Sequence, residues 1–145
     1  MKIAIHVSEK VGHTWPPAYW ADFIRKCTRK GHEVYVFSGE DNVNLQLKNE
    51  RVFDCTKLRE DEAREEIASC DVFVGPVLHF YKSARESGVR TVGILTSITD
   101  AEGVKATIPC AGCIDSIGAR PDCHWGDELC QWHVTPNDVA EAVGL

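Results

Sequence analysis

Short runs of apolar, β-branched residues alternate along the chain with stretches that carry a helical period. That alternation constrains the fold more than any other feature, because it calls for a parallel sheet covered by helices on both faces. KIAIHV (2–7) has the composition of a buried parallel strand, interrupted only by His6. Pro16 and Pro17 then open a helix, where a missing N–H costs nothing. Trp20, Phe23, Ile24 and Cys27 follow at helical spacing as its inward face, and Gly31 ends it. HEVYVFSG (32–39) is the second strand, and residues 40–50 are polar, with a short helix or turn. RVFDCT (51–56) is a short third strand. KLREDEAREEIASC (57–70) is helical, with Leu58, Ala63 and Ile67 inward and Glu60–Arg64 paired at i,i+4. DVFVGP (71–76) is the fourth strand, VLHFYKSARESG (77–88) a helix ended by Gly88, and VRTVGILTS (89–97) the fifth strand. Residues 98–134 read as a long irregular segment, followed by a closing helix with Thr135 as N-cap and Pro136 at its first position.

The resulting expectation is a single α/β, Rossmann-like, three-layer domain over residues 1–145. Its sheet is mostly parallel and five-stranded, in the order 3-2-1-4-5 that right-handed crossovers favour. The Cys-rich loop at 98–134 and the closing helix belong to the same domain.

That loop is where four of the seven cysteines gather, as Cys110, Cys113, Cys123 and Cys130. A structureless stretch of such length is odd in a compact domain, and four thiolates around one metal explain it. Cys110 and Cys113 have the two-residue spacing of a zinc knuckle, and Gly112 lets the chain turn between them. Four thiolates leave no open position on Zn²⁺, so the expected metal is structural. Other readings stay open: free buried thiols, two disulfides, an iron–sulfur cluster, or His124 or His133 in place of one cysteine. Cys27, Cys70 and Cys55 read as small buried hydrophobes.

Charge and hydropathy narrow the partners. The formal net charge of −6 argues against broad nucleic-acid binding. No apolar run is long enough to cross a membrane. The first ten residues lack a signal-peptide cleavage pattern, and the odd cysteine count suits a reduced, cytoplasmic compartment.

In an open parallel sheet, ligands gather outside the carboxyl ends of the strands, at the switch in strand order. The loops there offer Ser8, His13, Glu40, His79 and Lys82 as candidate nucleotide-binding residues. Helix starts near residues 16 and 77 favour an anion such as a phosphate. Glu40 stands where such folds place a carboxylate on a ribose hydroxyl. Phe80 and Tyr81 are apolar candidates on the same face for a protein partner. There is no G-x-G-x-x-G, Walker loop or G-x-S-x-G elbow to name a chemistry.

Three stretches together resemble the C-terminal, donor-binding half of the heptosyltransferase-like glycosyltransferases of family nine. They are IAIHV with WPPAYWADF and GHEVYVFSGE, then SCDVFVGPVLHFYKSARESGVRTVGIL, then CAGC through QWHVTPNDV. The resemblance implies a GT-B enzyme half that holds the nucleotide of a sugar donor, with the acceptor half supplied by another domain or chain. It implies metal-independent displacement at the anomeric carbon, with the pyrophosphate leaving group stabilised by Lys82, His13 and helix-terminal N–H groups. Val77, Leu78 and His79 stand where the family carries Asp-Ser-Gly, Lys82 where it carries His, and His13 where it carries Lys. The alternative is a non-catalytic protein that binds or sequesters a nucleotide-derived ligand or a partner protein.

Overall fold

The computed structural model describes residues 1–7, 15–38, 49–95, 103–105 and 134–145. The strands are β1 (Lys2–His6), β2 (Glu33–Phe37), β3 (Val52–Asp54), β4 (Val72–Gly75), β5 (Arg90–Leu95) and β6 (Gly103–Lys105). The helices are α1 (Pro17–Arg29), α2 (Glu60–Ala68), α3 (His79–Glu86) and α4 (Pro136–Val143). One sheet in the order β3-β2-β1-β4-β5-β6 contains all six strands. Every neighbouring pair is parallel.

The expected order 3-2-1-4-5 is present, but among the described residues the sheet has six strands where five were expected. The added strand, β6, falls inside the segment read as irregular and pairs Gly93 with Gly103, Ile94 with Val104 and Leu95 with Lys105. Three residues carry too little pattern to announce a strand. The exposed edge of β5 supplies the hydrogen-bonding partners that define it.

Side-chain alternation splits the core into two halves. Ile3, Ile5 and Val7 of β1 and its exit join Val34, Val36, Val72, Val74 and Ile94 on one face. Trp20, Phe23, Ile24 and Cys27 of α1 pack there, with Val139, Ala140 and Val143 of α4. Ala4, Phe37 and Phe73 point to the other face, against Ala63 and Ile67 of α2 and Phe80, Tyr81 and Ala84 of α3. The period of two in each strand thus sorts successive residues between two helical layers. A fully buried Phe or Ile contributes about 1.5–3 kcal/mol, so α1 is held mainly by this apolar stripe and not by its caps.

Helix ends follow local rules. Thr135 Oγ1 accepts from the Asp138 N–H (3.2 Å), and Asp138 Oδ2 accepts from the Thr135 N–H (3.0 Å), closing a reciprocal cap on α4. The Glu60–Arg64 pair forms at 2.9 Å on the exposed side of α2. Ala63 and Ile67 are buried as expected, whereas Leu58 is 39% exposed. It sits in the turn ahead of Glu60, where the helical period has not begun and cannot turn it inward. Cys27 and Cys70 are buried, and Cys55 is half-buried beside the α2–α3 core.

Candidate functional site at the switch point

The parallel sheet places β1 and β4 side by side at its centre, with β2 continuing on one flank and β5 on the other. Connections from these two strands diverge to opposite faces, α1 to one and α3 to the other, the arrangement that in open parallel sheets makes a crevice at the strands' carboxyl ends. The last residue of β1 is His6, 1% exposed. The last residue of β4 is Gly75, and a Cβ built there would lie 2.9 Å from the His6 Cβ. Glycine at 75 is therefore what lets the two strands come this close at the crevice floor. Ser38, also buried, follows β2, and the Val7 N–H donates to the Phe37 carbonyl at 2.9 Å. The chain thus leaves β1 and β2 side by side at this edge.

Above the floor, α3 begins at His79. The His6 ring lies edge-on to His79 (centroids 5.7 Å) and to Phe80 (4.9 Å). His79 in turn leans on Phe80 at 4.1 Å. His79 is exposed, and so is Lys82 three residues later. This spacing sets the imidazole and the ammonium on one side of the first helical turn. The first i→i−4 bond of α3 runs from the Lys82 N–H to the Leu78 carbonyl at 3.1 Å. The N–H groups of His79, Phe80 and Tyr81 therefore precede the ladder, at the positive end of the helix. The start of α1 offers less than its sequence implies. Pro17 carries no N–H, and Tyr19 and Trp20 both donate to the Pro16 carbonyl.

Of the sequence candidates, the structure brings His79 and Lys82 together. Ser8, His13 and Glu40 lie outside the described residues, as do Cys110, Cys113, Cys123 and Cys130. Among the described residues no three metal-capable side chains converge. Phe80 and Tyr81, expected to be available to a protein partner, are instead 4% and 3% exposed. They occupy the inward stripe of α3, where Phe80 meets Phe37 and Tyr81 meets Phe73. His6 was missed as a site residue. Its signal is that it is the one titratable side chain within the apolar run 3–7, at the strand's carboxyl end. Val77 and Leu78 are buried and apolar, so their part of the crevice presents backbone and no polar side chain.

A second concavity lies between α1 and α4, lined by Lys26, Lys30, Asn137 and Glu141. Lys30 caps the carboxyl end of α1, so this groove opens away from the switch point. No described helix is long and apolar enough to cross a membrane.

No family model matches the sequence, and no curated protein does. Solved structures do match. The iron-containing dodecameric glycosyltransferase TibC from enterotoxigenic E. coli superposes with a TM-score of 0.72 at 17% identity, over 98% of this chain and 44% of TibC. E. coli heptosyltransferase WaaC, solved with ADP, gives 0.70 at 11% identity, over 98% of this chain and 42% of WaaC. E. coli ADP-heptose lipopolysaccharide heptosyltransferase II gives 0.69 at 18% identity, over 98% and 45%. The chain therefore spans less than half the length of each of these enzymes. Its fold is that of one part of the heptosyltransferase-type glycosyltransferases, as the resemblance in sequence implied.

Proposed function

We propose that this chain is a nucleotide-sugar donor-binding unit, a single Rossmann-like domain related to the donor half of heptosyltransferase-type enzymes. The observation that carries the proposal is the match of 98% of the chain to part of WaaC, a protein solved with ADP and with an ADP-heptose analogue. The switch-point crevice is the place for the ligand. The start of α3 aims N–H groups at a phosphate, Lys82 adds a positive charge, and His79 adds a donor. In this reading Ser8 and His13 reach the phosphates from the connection after β1, and Glu40 holds a ribose hydroxyl from the connection after β2. Transfer to an acceptor would need a second domain or chain.

A second reading is binding without turnover. The buried apolar pair Val77 and Leu78, where the resembling enzymes carry Asp-Ser, favours it. Both readings predict the same first result. A thermal-shift series with ADP, UDP, GDP and CDP should show one nucleotide raising the unfolding midpoint. At about 100 times its dissociation constant, a ligand adds about 2.7 kcal/mol. Lys82→Ala should weaken that binding about tenfold, while the unliganded midpoint stays put because the side chain is solvated. If no nucleotide moves the midpoint, both readings fail. If binding occurs but the nucleotide-sugar is not consumed in the presence of any acceptor chain, the second is left standing.

The proposal extends to a structural Zn²⁺ on Cys110, Cys113, Cys123 and Cys130 in the cytoplasm. Because TibC is iron-containing, elemental analysis should count both metals. One metal per chain is expected, lost in Cys113→Ser with a fall in stability. A metal-free, fully stable wild type would exclude it.

A further inference from the structure

We propose that the groove between α1 and α4 is a docking socket for a second copy of this chain, which inserts the exposed Leu58 that precedes its α2. Socket and knob match in size and charge, and every residue involved lies among the described ones. The groove encloses about 250 Å³. That is below the ~300–1,000 Å³ of small-molecule pockets and suits one aliphatic side chain. Its floor is apolar: Ala140 is 8% exposed, and Leu145 packs against the α1 half of the core. Its rim is charged, with Lys26 and Lys30 from α1 and Glu141 from α4. Lys26 leans on Asp22 at 3.7 Å, whereas neither Lys30 nor Glu141 makes an ion pair among the described residues.

The knob stands out on this surface. Among the described residues the exposed large apolar side chains are Met1, Phe53 and Leu58. Phe53 stacks on Tyr35 at 4.8 Å, but Leu58 joins neither half of the core. Glu60, Asp61 and Glu62 follow it at once, all exposed, and Arg59 stands between, 3.1 Å from Glu62. Seating Leu58 on Ala140 and Leu145 brings these acids toward Lys26 and Lys30, and Arg59 toward Glu141. Both signs of charge are then answered, which favours this register over others.

Socket and knob lie on opposite sides of the sheet, since α1 and α4 cover one face and α2 and α3 the other. A chain therefore cannot fill its own socket, and two copies cannot fill each other's at once. The contact is head-to-tail and adds copies in a ring or an open row. One side chain with a charged rim makes a small interface, so the association is transient, with a dissociation constant of about 100 μM. This inference is independent of which ligand the switch-point crevice takes.

The test is sedimentation equilibrium of the full chain over concentrations that bracket that value. The wild-type average mass should climb past that of a dimer, and the climb should shrink as salt screens the rim charges. Leu58→Ser removes the knob, and Lys26→Gln with Lys30→Glu disables the socket. Each should weaken association about tenfold or more with the unfolding midpoint unchanged, because these side chains are solvated. Mixed in equal amounts, the two variants should regain the wild-type affinity and stop at a dimer, since each keeps the half that the other lost. Phe53→Ser should associate as wild type does. A wild type that stays monomeric throughout, a mixture no stronger than either variant alone, or loss of association in Phe53→Ser would each overturn the proposal. Should a variant not fold, the wild-type salt series decides, and association that salt leaves unchanged refutes the charged rim.

Discussion

At the scale of single residues, the switch point is set by a glycine and a histidine. Gly75 is required for space, since any Cβ there meets the His6 Cβ at 2.9 Å, and neither atom is the far end of a flexible chain. Gly75→Ala should therefore destabilise the protein by about 1–3 kcal/mol through overpacking between β1 and β4. Equilibrium urea unfolding measures it, and a variant as stable as wild type would show that the strands can part without cost. Gly31 is the contrasting case. It has φ +83 with nothing near its missing Cβ, so Gly31→Ala costs backbone strain alone, about 1 kcal/mol, and leaves the crevice unaltered. The need for glycine at 31 was legible in sequence, as a helix stop. The need at 75 was not, because it arises from a strand 69 positions earlier in the chain at His6.

Among the elements, α4 shows how far local chemistry goes. Thr135 and Asp138 cap its first turn reciprocally, and the two Thr135 donors hold the Asp138 carboxyl below its ordinary value. A carboxylate with a depressed folded pKa contributes stability above its ordinary value of 3.8 and loses it as pH falls through the folded one. Thr135→Ala should cost about 1 kcal/mol at neutral pH and flatten the acid limb of the stability profile, as chemical denaturation across pH would show. The cap was readable from Thr-Pro-Asn-Asp alone, since every partner lies within one turn. Helix α3 has no such cap: its N-cap is Leu78, with no side-chain hydrogen bond to the first turn. An uncapped, positively polarised helix start facing the switch point suits an external anion better than a self-contained helix would.

For the molecule as a whole, three thiols record the burial of both core halves. Burial pushes Cys27 up to about 12, and Cys55 and Cys70 up to about 11, from an ordinary value of 9.0. Groups with raised folded pKa values stabilise fully below the unfolded value, and that stability is lost as pH rises through the folded one. The protein should therefore weaken between about pH 9 and about pH 12, with Cys27→Ala showing a shallower decline. Urea midpoints across that range test it, and a slope unchanged in Cys27→Ala would remove Cys27 as a cause. At neutral pH all three thiols stay protonated and slow to react.

The order of strands and helices, the inward stripe of α1 and the central order 3-2-1-4-5 were all determined by the sequence itself. They depend on periods of two and 3.6 residues and on the handedness of crossovers, which are properties of short stretches. Tertiary structure alone decided four things. It made a strand of Gly103–Lys105 by offering the free edge of β5. It turned Phe80 and Tyr81 inward against Phe37 and Phe73. It set His6 beneath His79, and it joined Trp15 to Val134. Each depends on groups distant in sequence meeting at one point, and a local pattern carries no record of which distant neighbour will supply the other half of a contact.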